Sequence, residues 1–275
     1  MSNEIEISIL ITTKNEEKNI SNLINSIISQ KFKSYEIIIV DNYSTDKTLN
    51  IIKNYPDIKL YQKGPERGHQ RAYGLEKCKG KLVFWPDADH ILSNNLLIEI
   101  SKKGKDDNYS NCMFIPERII ENNFFNKVRN YERIFYDATP IDCPRVIPLH
   151  IFKKILDLQK NSIIFDSGAD DWDIYNYCDK LSNFIITKNI IQHNETELKI
   201  SDYLNKKIKY MPSRDGFKKK WKNHHLNKIR FNPYNRLIKI FIQNGGYKKI
   251  LAKPHLFVSM IVLRLIVGLI YLIYK

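Results

Sequence analysis

KLVFWPDADHI, residues Lys81 to Ile91, is the stretch on which the reading of this chain turns. Lys81 to Trp85 is a run of β-formers without amphipathic alternation, which reads as a buried strand. It delivers two carboxylates, Asp87 and Asp89, at its C-terminal end, where open α/β sheets hold ligands. Carboxylates this close repel unless a cation or a proton lies between them, and a hard divalent ion is the usual neutraliser. The pair therefore points to Mg2+ or Mn2+ gripping a diphosphate. Taken alone it also reads as a solvated turn with a capping aspartate, so the flanks must decide.

Toward the N-terminus, strand and helix signals alternate. Ile5 to Thr13 is an apolar run suited to a central strand. Ile20, Leu23, Ile24, Ile27 and Ile28 form the stripe of a helix packed on a sheet. Tyr35 to Val40 is a second strand ending in Asp41, after which Ser44 or Thr45 caps a helix through Leu49, Ile51 and Ile52. Ile58 to Tyr61 is a third strand and Gln70 to Cys78 a short helix. This alternation predicts an α/β fold with a mostly parallel sheet and right-handed crossovers.

The chain has 275 residues, 43% apolar and 27% charged, enough for one large core or a core plus an appendage. Cys78, Cys112, Cys143 and Cys178 form no C-x-x-C pair and follow no secretory leader, which predicts reduced thiols in a cytosol-facing domain and no zinc site. Charge is uneven: residues 1–198 carry net −2, residues 199–255 net +14 and residues 256–275 net +2. Such asymmetry implies a polyanionic partner, nucleic acid or an anionic membrane.

Three ordered stretches, ISILITTKNEEKNI, EIIIVDNYSTDKTL and GPERGHQRAYGLEKCKGKLVFWPDAD, resemble the successive signatures of the family 2 glycosyltransferases with the GT-A fold. The resemblance implies that Thr12, Lys14 and Glu16 line a nucleotide pocket and that Asp41 accepts a hydrogen bond from the base. It further implies that Asp87, Ala88 and Asp89 meet the ribose and the metal, Asp87 and Asp89 serving as metal ligands. Physical chemistry agrees: a uracil or guanine ring offers N–H donors to a carboxylate, and a diphosphate needs cations. An Asx turn is the competing role for Asp41. Arg67, in the Gly64–Gly74 loop, could reach a phosphate oxygen, with Gly68 allowing close backbone approach. Where the family often has Asn, this chain has Ala72 or Tyr73.

FDSGADDWDIYNY, residues Phe165 to Tyr177, resembles the family's acidic segment near the acceptor, with Asp171 in the position of the catalytic base. An inverting transfer needs one carboxylate to take the acceptor hydroxyl's proton in line. The competing role is a helix cap at the start of Trp172 to Leu181. His193, after the β-rich run Phe184 to Ile191, matches a late histidine that the resemblance makes a third metal ligand. Between them, Asn108 to Leu158 is hard to read. Phe124, Phe125, Tyr131, Phe135 and Tyr136 suit an acceptor groove or ordinary core, and Arg118, Arg129, Arg133 and Arg145 are held in reserve for an anionic acceptor.

Leu198 to Tyr210 and Trp221 to Ile240 mix Lys and Arg with aromatic and aliphatic residues at helical spacing, as basic interfacial helices do. Leu256 to Tyr274 is apolar apart from Arg264, Ser259 and Gly268, and at ~1.5 Å per residue just reaches across a hydrocarbon core of ~30 Å. It either spans the membrane or inserts in its plane. Arg264 would cost about 2.5–3.5 kcal/mol on insertion, which its apolar neighbours offset. The predicted organisation is a GT-A domain over 1–198, a basic juxtamembrane segment over 199–255 and a membrane helix over 256–275. Positive charge places the catalytic domain on the cytoplasmic side.

The expected activity is metal-dependent, inverting transfer from a UDP- or GDP-sugar to a hydroxyl on a lipid-linked or surface glycan, at a membrane surface and without nucleic acid. Alternatives are a polyprenyl-phosphate sugar synthase, a nucleotidyltransferase, a GT-A scaffold without activity and, from another class, a nucleic-acid-binding protein using the basic block. The apolar tail serves no duplex.

Overall fold

The computed structural model describes residues 4–158 and 169–274. β1 (Ile7–Thr13), β2 (Tyr35–Asp41), β3 (Ile58–Gln62) and β4 (Leu82–Phe84) alternate with α1 (Ile20–Ile28), α2 (Thr48–Ile52) and α3 (Arg67–Leu75). β5 (His90–Leu92), α4 (Leu96–Asp106), β6 (Cys112–Phe114), β7 (Glu117–Ile119) and α5 (Phe124–Arg133) follow. Then come β8 (Val146–Pro148), α6 (Leu149–Leu158), α7 (Asp170–Leu181), β9 (Phe184–Ile186) and β10 (Ile191–His193). α8 (Ile200–Lys209), α9 (Met211–Lys220), α10 (His225–Phe231) and short helical turns lead to a terminal helix, Pro254–Ile273.

The main sheet has the order β3-β2-β1-β4-β8-β6-β9, parallel from β3 to β4 and again between β6 and β9, with β8 antiparallel to both neighbours. The two most apolar runs are its centre because both faces are covered. Ile7, Ile9, Ile11, Ile37 and Ile39 pack with α1 and α4, while Leu10, Ile38 and Val40 pack with α3, α6 and α7. Ile20, Leu23, Ile24 and Ile27 of the α1 stripe are fully buried, whereas Ile28, at the helix end, is 43% exposed.

A second sheet, β5-β10-β7, sits at the C-terminal edge of the first. β10 runs antiparallel to β5, and the register pairs His193 with His90. β5 starts one residue after Asp89, so this hairpin-like pairing brings a histidine from late in the chain to the acidic pair. A third core joins α5 to the C-terminal region: Val128, Tyr131, Phe135 and Tyr136 pack with Tyr203, Phe241, Leu256, Met260 and Leu263. Three of the five aromatics from the unreadable stretch are therefore core, while Phe124 is 57% exposed.

Local departures from expectation have local causes. The start of α2 is held by Asp46, whose carboxylate accepts from Thr48 N at 2.9 Å, because Ser44 is engaged with Asp41 instead. α3 begins at Arg67, which therefore lies, with Gly68, in a helical first turn rather than a loop. The run Phe184 to Ile191 is two strands, and His193 closes the second. The terminal helix packs on α5 through Leu256, Met260 and Leu263 in its first half. Arg264 gives hydrogen bonds to Glu132 Oε1 at 2.9 Å, to the Arg236 carbonyl at 2.7 Å and to the Tyr136 hydroxyl, so protein groups neutralise the charge that sequence alone had set against lipid.

Candidate active site

The C-terminal ends of β1, β2 and β4 converge, with Thr13 in register with Asp41 and Thr12 bridged to Asp87. Asp41 is fully buried. Its Oδ1 accepts from Thr13 Oγ1 at 2.9 Å and Ser44 Oγ at 2.5 Å, and its Oδ2 from Ser44 N at 2.8 Å. The carboxylate thus closes the Asx turn that competed with base binding, and with no exposed surface it can meet an incoming N–H only if the loops around it shift. Asn15 (φ 56°) and Tyr43 (φ 50°) both hold left-handed backbone in the loops that meet here, tied by Asn15 N to Ser44 Oγ and Thr45 N to Asn15 Oδ1. Strain of this kind persists where surrounding contacts over-determine the backbone.

Lys14 is exposed at the rim and Thr12 is half-buried. Glu16 lines a cavity of about 260 Å3 together with Asp89, Asn194 and Glu195. Burial, with Asp89 and Asp87 nearby, raises its carboxyl above the ordinary range. Ala88, read as a donor contact, turns its methyl into the core at 4% exposure, so no side-chain contact to a ligand is open to it.

Asp87 lies among cations. Arg145 Nη2 approaches Asp87 Oδ2 at 3.0 Å, and Arg71 Nη2 and Arg67 Nη1 approach Oδ1 at 3.2 and 3.8 Å. Burial works against ionisation, but these arginines and His90 outweigh it and hold Asp87 well below the usual carboxylate range. The same guanidiniums clamp α7: Arg67 Nη2 meets Asp170 at 2.6 Å, and Arg71 Nη1 meets Asp170 and Asp171 at 2.5 Å each. Trp85, from the stretch that opened the reading, lies under Arg71 at 4.1 Å and Arg145 at 5.6 Å. Phe165 to Gly168 of the acidic segment lie outside the described residues.

Asp89 points the other way, its Oδ2 2.9 Å from His193 Nε2. Burial opposes protonation of His193, but Asp89 overrides it and carries the imidazole up to about 9. A proton thus sits where a cation would. Asp89, His90 and His193 are close enough to share one ion. His90, however, accepts from Asp87 N through Nδ1 and is pushed by burial down to about 4. As a neutral ring it carries its proton on Nε2, which leaves it no lone pair to offer. The donor set that fits a metal is therefore Asp89 and His193, and Asp87 is committed to arginine.

Sequence reading had no signal for Arg71 or for Glu117. Glu117, 3% exposed on β7, holds Arg145 at 2.7 Å and Arg133 at 2.6 Å and lies 3.9 Å from His193 Nδ1. Arg118 pairs with Asp137, Arg129 with Glu132 and Glu195, and Arg133 with Asp142 as well as Glu117. All four arginines held in reserve for an anionic acceptor are thus engaged by carboxylates.

With this geometry in view, the Glycosyl transferase family 2 profile matches residues 8–169, more than half of the chain. Poly(ribitol-phosphate) beta-N-acetylglucosaminyltransferase TarP of Staphylococcus aureus is 32% identical over 111 residues, 38% of this chain and 34% of TarP. The GalNAc(5)-diNAcBac-PP-undecaprenol beta-1,3-glucosyltransferase of Campylobacter jejuni is 29% identical over 134 residues, 44% of this chain and 43% of that protein. The chain thus spans well under half the length of these relatives. Mannosyltransferase PcManGT from Pyrobaculum calidifontis, solved with GDP-Man and Mn2+, superposes with a TM-score of 0.58 at 19% identity, covering 94% of this chain and 73% of that one. That likeness shows the fold.

Proposed function

The chain belongs to glycosyl transferase family 2, and from that premise we propose that it transfers a sugar from a UDP- or GDP-sugar to a hydroxyl on a lipid-linked or surface glycan, with inversion and with a divalent metal. The observation that carries this reading is the division of labour among four aspartates. Asp89 faces His193, while Asp87, Asp170 and Asp171 are held by arginine, and of the two carboxylates that open α7 Asp171 keeps a side chain 29% exposed against 4% for Asp170. Of that pair, Asp171 is therefore the one an acceptor can reach.

Asp89 and His193 would hold Mn2+ or Mg2+, an oxygen and an imidazole nitrogen being donors both ions accept. The ion supplies positive charge beside the leaving diphosphate. Arg67, 44% exposed, and Arg71 behind it now spend their donors on Asp170 and Asp171. A diphosphate entering the cleft competes for those donors and would loosen Asp171, which the arginines hold below its ordinary range against the effect of burial. Freed from them, its carboxylate accepts the proton of a hydroxyl positioned in line. Thr12, Lys14, Glu16 and Asp41 would receive the nucleoside.

Residues 1–198 are read as the catalytic unit, 199–255 as a basic collar and 256–275 as the membrane-contacting helix, all on the cytoplasmic face. A membrane is favoured over nucleic acid because Leu237, Ile238, Ile242 and Leu251 are exposed among the lysines of the collar. Asp171→Asn tests the reading: transfer should collapse while donor binding persists. Unchanged transfer would leave a phosphate acceptor, which needs no base, as the reading to adopt.

A further inference from the structure

Beneath the terminal helix lies a cavity of about 500 Å3 that the donor chemistry does not use. Seven cationic side chains and one carboxylate, Glu132, line it. Glu132 is taken by Arg129 and Arg264. Arg133 is taken by Glu117 and Asp142. Lys207, Arg214, Arg230 and Arg236 have no carboxylate within ion-pair distance among the described residues.

Arg230 makes the imbalance concrete. It is 1% exposed, gives Nε to the Pro140 carbonyl and Nη1 to Asn176, and leaves Nη2 without a partner. The rings of Trp172, Tyr175 and Phe217 surround its guanidinium. Burial pushes it down to about 10, and burial with Arg129 beside it pushes Lys207 down to about 8. A buried cation without a counter-charge is costly, and an entering anion relieves that cost.

Two further features say what kind of anion. One wall is Trp172, which follows Asp171 in the first turn of α7. The opposite wall is the inner face of the terminal helix, Arg264, Val267, Gly268 and Tyr271. The outer face of that helix, Val258, Val262, Leu265, Ile266, Leu269 and Leu272, is 41–75% exposed in one continuous apolar stripe. A cation-lined pocket roofed by a helix whose other face is bare aliphatic surface fits a molecule with phosphate at one end and hydrocarbon at the other.

We infer that this cavity binds the phosphate or diphosphate head of a single-chain lipid, whose tail follows the outer stripe of the terminal helix. Its use in presenting a lipid-linked acceptor to Asp171 rests on the transferase reading; the binding itself does not.

The test uses the full chain in neutral phosphatidylcholine nanodiscs, titrated with farnesyl diphosphate, farnesol and inorganic pyrophosphate, with a UDP- or GDP-sugar plus Mn2+ titrated in parallel. Farnesyl diphosphate should bind at least about 10-fold tighter than either half-molecule, and Lys207→Met with Arg236→Met should remove at least about 10-fold of that affinity while donor affinity stays unchanged. Farnesyl diphosphate binding without donor binding would uphold the cavity and sink the transferase reading. Unaltered affinity in the double variant, or equal displacement by phosphatidylglycerol, would overturn the assignment.

Discussion

Arginine crowds two places in this molecule, and only in one of them does every arginine meet a carboxylate among the described residues. In the cleft at the ends of β1 and β4, Arg67, Arg71 and Arg145 face Asp87, Asp170, Asp171 and Glu117 at 2.5–3.8 Å. In the cavity under the terminal helix, Arg214 faces the rings of Phe231 and Tyr271, Arg230 faces three aromatic rings and the Pro140 carbonyl, and Arg236 lines the same space. A cation paired with carboxylates fixes a geometry, whereas one buried without them favours whatever anion arrives. The first set organises chemistry. The second is arranged to receive a ligand.

The largest effect that would sharpen this contrast is on turnover. Asp171→Asn preserves shape and hydrogen bonding but removes the proton acceptor, so kcat should fall about 10²- to 10⁴-fold with the donor's affinity nearly constant, as steady-state kinetics and donor titration would show. Near-wild-type kcat would remove Asp171 from the chemistry.

Stability separates the two arginine sets next. Arg145→Met leaves the buried Glu117 to Arg133 and the partly buried Asp87 to Arg71 and Arg67, and the lost charged hydrogen bonds should destabilise by about 1.5–3 kcal/mol in urea unfolding. Arg236→Met removes a half-buried cation with no carboxylate partner among the described residues and should change stability by less than about 1 kcal/mol, or raise it. Equal losses in the two variants would erase the distinction.

A further effect is on pH dependence. Lys207 is held near 8 against an ordinary 10.5 by burial and by Arg129 and Arg236, with Glu132 and Glu195 acting in the opposite direction. The folded state therefore releases this proton earlier than the unfolded chain, and below about 8 the cost of burying the charge is fully present. Stability should rise from pH 8 to 10.5. Subtracting the profile of Lys207→Met isolates this contribution from the tyrosines that titrate in the same range, and an unchanged profile in that variant would contradict it.

The N-terminal half was legible because its signals are local. The apolar runs of β1 and β2, the stripe of α1 and the strand before Asp87 need no knowledge of distant residues, and all four lie where periodicity put them. The linkages between distant segments were not legible. His193 reaches Asp89 only through the register of β10 against β5, and Arg71 meets Asp171 across 100 positions. Glu117 stands in a stretch without clear period, so nothing marked it as the hub between Arg133 and Arg145. Hydropathy marked the terminal helix as long and apolar enough to span or enter a membrane, with a mean hydropathy of 2.6. It could not show that one face lies on α5 and that Arg264 is answered by Glu132.

The proposed donor site needs Asp89 and His193 to hold a cation in the cleft. Release of UDP or GDP from a panel of nucleotide sugars, measured on the full chain in nanodiscs with Mn2+, tests this most directly. The prediction is nucleotide release that requires the metal, stops reversibly with EDTA and is absent in Asp89→Asn. Release that continues undiminished in EDTA and in Asp89→Asn would contradict it.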